Sequence, residues 1–186
     1  MNITSRPLQW PCHNVSCECT FEKRISVGSV RRDGVRVDAT LRTFRTDAFT
    51  PKPWAQELPA VYTNAPYHRL ITYNGSAPYT RAATAEYNMI SGPSIARGFP
   101  ATEHWAAYVN DDGYGIGIVN LATSIFHANF YGGPDFSNQS MSTGYVSPVT
   151  DMVLEAQGVY EFTFHLVLGT VSSIRSYAYQ VAGYSA

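Results

Sequence analysis

Trp105-Ala106-Ala107-Tyr108-Val109-Asn110-Asp111-Asp112-Gly113-Tyr114-Gly115-Ile116-Gly117-Ile118-Val119 sets two runs rich in aromatic and β-branched residues on either side of an Asn-Asp-Asp-Gly cluster. Small polar residues and a glycine let a chain reverse, so the unit reads as a β-hairpin. Trp105, Ala107 and Val109 alternate onto one face, Ala106 and Tyr108 onto the other. In the return run the glycines at 113, 115 and 117 leave one face almost bare. Something bulky must lie there, either a neighbouring strand's aromatic or a ligand close to the backbone.

Working outward, the same alternation recurs. Val35, Val37, Ala39 and Leu41 alternate with Arg36, Asp38, Thr40 and Arg42, after a run holding Phe21, Ile25 and Val27 and the turn chemistry of Gly28-Ser29 and Asp33-Gly34. Tyr67–Tyr73 predicts a strand turned by Asn74-Gly75, and 82–90 a weaker one. Ser124–Tyr131, Tyr145–Val149, Met152–Glu155 and Val159–Leu168 read as further strands, the last with Tyr160, Phe162, Phe164, Leu166 and Leu168 on one face. The polar, glycine-rich span 132–143 reads as a surface loop. Pro51, Pro53 and Pro59 exclude 44–59 from a central strand and predict a long connection. Ile174, Tyr177, Ala178 and Val181 fall at helical spacing after Ser172-Ser173, which predicts a short C-terminal helix. The fold class is therefore all-β, an antiparallel β-sandwich of super-sandwich or jelly-roll type closed by that helix. Residues 1–19 read as an extended N-terminal segment and 20–186 as one sandwich domain.

Composition narrows the function. The chain has 186 residues, a net charge of −1, 15% charged residues and 13 tyrosines. Without a basic stripe to neutralise phosphates, nucleic acid is not an expected partner. No run is apolar for long enough to predict a membrane span. The N-terminal residues lack the apolar core of a signal peptide. Four N-x-[ST] triplets, at Asn2, Asn14, Asn74 and Asn138, among nine asparagines point instead to a secreted glycoprotein whose leader is missing. Cys12, Cys17 and Cys19 fit a local disulfide of Cys12 with either neighbour better than zinc. Cys17 and Cys19 are next-but-one residues and are expected not to bridge.

The combination of Gln56-Glu57-Leu58-Pro59-Ala60-Val61-Tyr62, Glu103-His104-Trp105-Ala106-Ala107-Tyr108 with the glycine-spaced return run, and Leu166-Val167-Leu168-Gly169 before Ile174-Arg175 resembles β-sandwich domains of large secreted proteins associated with polysaccharide processing. More loosely, it is similar to the galactose-mutarotase-like super-sandwich. The likeness spans residues 20–180 and implies a carbohydrate setting. Mutarotase-like enzymes act on the sugar ring with a histidine and a carboxylate, and are longer than this chain, which implies a truncated relative or one lobe of a larger assembly.

The candidate residues follow from side-chain chemistry. Glu57, His68 and Glu103 are the catalytic candidates, and Trp54, Tyr73, Trp105 and Tyr114 are the aromatics suited to stacking on sugar rings. Alternation sets Glu103 and Trp105 on one face and His104 on the other. His13, His68, His104, His127 and His165 have no metal spacing and read as structural, and Asn110-Asp111-Asp112 is explained by the turn without calcium. No metal or cofactor is expected. No nucleophile elbow, P-loop or dinucleotide fingerprint occurs. Three functions remain open: a non-catalytic glycan-binding or accessory module; a lyase, epimerase or glycosidase using Glu57, His68 and Glu103; and a self-assembling subunit of an extracellular layer or capsid. The expected partners are a polysaccharide or oligosaccharide and, in addition, a second copy or an upstream domain.

Overall fold

The computed structural model describes residues 1–8, 14–48, 50–89, 95–131 and 143–185. Cross-strand pairing builds two antiparallel sheets, as the alternation predicts. The larger is ordered β1 (Asn2–Ser5), β2 (Cys19–Val27), β3 (Gly34–Phe44), β13 (Gln157–Thr170), β10 (Tyr114–Val119), β9 (Trp105–Val109), β6 (Arg69–Thr72), β7 (Ala85–Asn88). The smaller is ordered β4 (Pro53–Glu57), β12 (Thr143–Val153), β11 (Ile125–Tyr131), β8 (Ile95–Pro100), with β5 (Val61–Asn64) also on β12. The extended lead-in joins the larger sheet at its edge, where Asn2–Ser5 pair with Phe21–Arg24.

Two cores result, one on each side of the larger sheet. Leu70, Ala106, Tyr108, Ile118 and Phe164 meet Phe126, Ala128, Phe130 and Val146 of the smaller sheet. On the opposite face Ile71, Trp105, Ala107, Val109 and Val167 meet α1 (Val171–Val181) through Ile174, Tyr177 and Ala178. Every residue of β9 is therefore buried. This second core also explains why the alternation of β13 breaks down near its end, where Phe164, His165 and Val167 are all buried.

The bare face of β10 belongs to α1. Gly34, Val167, Gly117, Ala107 and Ile71 are cross-strand partners in one row. A Cβ at Gly117 would overlap the Ile174 side chain, and one at Gly34 the Tyr177 ring. The helix thus lies in a trough cut by missing side chains, where a strand aromatic or a ligand was expected. Its cap is Thr170, whose hydroxyl accepts from the Ser173 N–H at 3.2 Å, ahead of the serines the sequence suggested.

Three local expectations are revised. Residues 53–57 form an edge strand, which Pro53 tolerates because it is the first residue. Residues 143–153 form one strand where two were expected. Pro148 sits where β5 has ended at Val146↔Val61 and β4 has yet to begin at Val149↔Glu57, so one side makes no ladder demand there. Cys17 and Cys19 do form a disulfide, with Cα atoms 5.2 Å apart. The chain bends at Glu18 before β2 starts, and the pair is closer than the roughly 6.6 Å of two strand residues. Cys12, His13, Asn138 and residues 132–142, where a surface loop is expected, lie outside the described residues.

His165 gives a pH dependence to the helix docking. It is 7% exposed, and its Nδ1 lies 3.0 Å from the Tyr177 hydroxyl. Burial, then Arg36, hold its pKa below the ordinary value, with Asp38 opposing. A histidine harder to protonate when folded contributes stability that is complete above an unfolded pKa of about 6.5 and is lost as pH falls below it. Urea unfolding at pH 7.5 and 5.5 checks this: His165→Leu is expected to reduce the drop in midpoint between the two.

Candidate functional site

The site is made where two strands share one partner. β4 and β5 both pair with β12, at Pro53–Glu57 and Val61–Asn64, and Glu57 is the last residue before the chain passes from one to the other. On β12, Val146 faces the core, so Tyr145 and Ser147 face outward; on β11, Phe126, Ala128 and Phe130 face the core, so His127 and Tyr131 face outward. His127 and Ser147 are direct cross-strand partners, as are Tyr145 and Tyr62.

On this outer face Glu57 reaches across β12. Its Oε1 lies 3.2 Å from His127 Nδ1 and accepts from the Tyr145 hydroxyl at 3.4 Å. The Glu57 and His127 side chains are 34% and 20% exposed. A carboxylate only accepts, so Nδ1 is the donor to Glu57. Burial, followed by the Glu57 charge, pushes the Tyr145 phenol up to about 12. It therefore stays a donor throughout the physiological range. The Tyr62 and Tyr145 rings are 5.7 Å apart, and Tyr62 and Tyr131 stand largely exposed. Ser147 is fully buried with its hydroxyl donating to the Pro148 carbonyl at 3.0 Å, which withdraws it from nucleophilic chemistry. Carboxylate, imidazole, phenol and exposed rings together can exchange hydrogen bonds with hydroxyls and stack on a flat apolar face.

The other sequence candidates are elsewhere. Glu103 is fully buried on the helix side of the larger sheet. It accepts from Arg175 at 2.8 and 2.7 Å, Trp105 Nε1 at 3.0 Å, the Tyr179 hydroxyl at 2.8 Å and the Tyr79 N–H at 2.9 Å. Trp105 is buried beside it, and Arg175 lies 5.1 Å from the centroid of the buried Tyr73. Glu103, Trp105 and Tyr73 are thus one enclosed group. His68 Nε2 lies 3.3 Å from Asp111 in the hairpin turn, and Tyr114 begins the following strand, half exposed. Trp54 is 73% exposed on β4, opposite Met152 and on the alternate face from Glu57. Among the described residues no three His, Cys, Asp or Glu side chains gather as a metal site requires.

Fifteen solved chains match this structure. One is an Escherichia coli K12 protein provisionally assigned as an aldose 1-epimerase, with a TM-score of 0.51 and 9% identity. The chain shares the β-sandwich fold of that protein over the matched length. The match covers 91% of this chain and 65% of the length of the other, and at this identity it speaks for fold alone. No family model matches the sequence, and no curated protein does.

That fold is what brings the outer-face cluster together. From sequence Glu57 is a candidate, whereas His127 reads as structural and Tyr145 and Tyr62 are not among the candidate site residues. They are 70 and 88 residues from Glu57 in the case of His127 and Tyr145. Only the strand order β4-β12-β11 joins them. The Arg175 partner of Glu103, 72 residues distant, was equally hidden.

Proposed function

We propose that the protein is a carbohydrate-associated domain that binds a glycan on the outer face of the smaller sheet, with Glu57, His127 and Tyr145 taking sugar hydroxyls and Tyr62 and Tyr131 stacking on the ring. The observation that carries this reading is the Glu57–His127–Tyr145 contact set beside two exposed tyrosines on a mutarotase-like sandwich. Affinity electrophoresis against soluble polysaccharides tests it. Glu57→Ala is expected to weaken retention by roughly 10- to 100-fold, the scale of a hydrogen bond to a charged group. Tyr62→Ala is expected to weaken it by roughly 3- to 10-fold, the scale of an aromatic contact. Unchanged retention in both variants would refute the placement of the site.

A second reading, a carbohydrate-active enzyme, is favoured by the carboxylate–imidazole pair, which is the equipment of general acid–base chemistry. It differs from pure binding in one measurement. If the protein turns over a sugar, His127→Asn lowers kcat while leaving KM nearly unchanged; if it only binds, no turnover is found at any pH. An extracellular setting belongs to the same proposal, supported by the triplets at Asn14 and Asn74, both exposed and outside strands. The intact mass of protein from its native source, before and after deglycosylation, decides that point. Assembly as a homo-oligomer or with a further domain is proposed on composition alone, and light scattering tests it.

A further inference from the structure

β13 outruns its partner on one side. It pairs with β3 from Gln157 to Val167 but with β10 only from His165 to Thr170, because β10 ends at Val119. Which backbone groups this leaves open follows from the bonds at both ends of the strand. The Leu168 N–H donates to the Asp33 carbonyl at 3.0 Å and the Arg45 N–H to the Ala156 carbonyl at 2.7 Å, so even-numbered positions along this stretch point to β3. The Val171 N–H donates to the Gly113 carbonyl at 3.1 Å, so odd-numbered positions point to the β10 side. The register with β3 is unbroken between these ends. The N–H and C=O groups of Val159, Glu161 and Thr163 therefore face a side on which no strand pairs with them among the described residues.

Nothing in the local sequence blunts this edge. Gln157–Phe164 holds no proline and no lysine, two of the devices that keep edge strands from pairing. Large apolar side chains also stand uncovered there, Val159 at 55% and Leu121 at 46% exposure. A cavity of about 940 Å³ takes in Phe162 and Thr163 of the edge together with Leu121, Leu58 and Met152 beyond it. The two faces of the edge differ in chemistry: by alternation Tyr160 and Phe162 turn toward the inter-sheet core, and Glu161 and Thr163 turn to the opposite face. We propose that the Val159–Thr163 edge of β13 docks an extended peptide segment of a partner protein, which continues the line of β10 as an added strand. Main-chain hydrogen bonds to the open groups supply affinity, and alternate side chains supply selectivity. Every second residue of the segment is apolar, to lie beside Tyr160, Phe162, Leu58 and Met152. A basic residue on its other face meets Glu161, the opposite-charge pairing that favours neighbouring strands.

Amide hydrogen exchange of the full chain, followed by NMR with and without a synthetic nonapeptide that alternates valine with lysine or threonine, tests the proposal. With the peptide in excess, the Val159, Glu161 and Thr163 amides are expected to exchange roughly tenfold more slowly, while Tyr160 and Phe162, already bonded to β3, keep their rates. The same peptide methylated on the amide nitrogens that face β13 is expected to give no protection. Glu161→Pro removes an open donor and leaves the β3 ladder intact, the edge position at which proline is tolerated. It is expected to abolish the protection at Val159 and Thr163. Glu161→Lys reads the same edge if the proline variant does not fold: it is expected to weaken the lysine peptide and to be rescued by a glutamate-bearing one. Three results would each overturn the proposal: no protection at millimolar peptide, equal protection by the methylated peptide, or protection that rises with protein concentration alone, which would give the edge to a second copy.

Discussion

Glu103→Gln is expected to destabilise the protein by about 3–5 kcal/mol, the cost of breaking a buried ion pair from one side. Glu103 is fully buried and the Arg175 side chain is 13% exposed. Five donors converge on the carboxylate, from Arg175, Trp105, Tyr179 and the Tyr79 backbone. A neutral amide leaves the guanidinium without its counter-charge and turns one acceptor into a donor facing donors. The loss extends further, because Tyr79 and Arg81 have φ of 63° and 61°, a left-handed conformation costly for such residues. They are held there by the Tyr79 N–H bond to Glu103 and the Arg81 N–H bond to the Tyr179 hydroxyl at 3.0 Å. Burial alone would raise the Glu103 pKa, but Arg175, Trp105, Tyr179 and the Tyr79 N–H together hold it below the ordinary value. A carboxyl harder to protonate when folded contributes stability that is present above an unfolded pKa of about 4.3 and is lost as pH falls. Thermal melts should therefore place Tm of Glu103→Gln about 6–20 °C below the parent at pH 7, with the gap closing toward pH 3. A shift of under 2 °C would mean that the pair is not the anchor its geometry describes.

The faces of β9 were readable because alternation is a local property: Trp105, Ala107 and Val109 turn to the helix, and Ala106 and Tyr108 turn to the other sheet. The glycines of β10 correctly demanded a bulky neighbour, but nothing near them says that it is Ile174, since packing partners are chosen by tertiary geometry. The site was harder still. Glu103 next to Trp105 looked like sugar-binding equipment, and the residue that consumes it, Arg175, enters from α1. Glu57 is a candidate from residue type and surroundings, whereas its contacts with His127 and Tyr145 depend on the register of three strands. Cys17 and Cys19 bridge against expectation because next-but-one residues are held apart only in a regular strand, and the chain bends at Glu18.

Gly117→Val tests the trough beneath α1 and is expected to cost about 3 kcal/mol, the upper part of the range for forcing extra carbon atoms into a packed core. The ordinary escape from overpacking, a small rigid-body shift of the helix, is closed on both sides. Tyr177 lies against Gly34 two strands away, and Arg175 is tied to Glu103, so moving Ile174 off β10 strains both contacts. The relief must come from the intruding partner itself. Ile174→Ala alone is expected to cost about 2–5 kcal/mol through the cavity it leaves. Combined with Gly117→Val, it should cost at least 1 kcal/mol less than the sum, because the new side chain fills the space the old one vacates. Urea unfolding of the two single variants and the double variant measures the coupling, and strict additivity would show that residue 117 and the helix do not contact each other. The larger sheet and the inter-sheet core stand between α1 and Glu57. Glycan retention per folded molecule should therefore be unchanged in Gly117→Val. If retention per folded molecule fell as well, the binding face would have to lie on the helix side of the larger sheet.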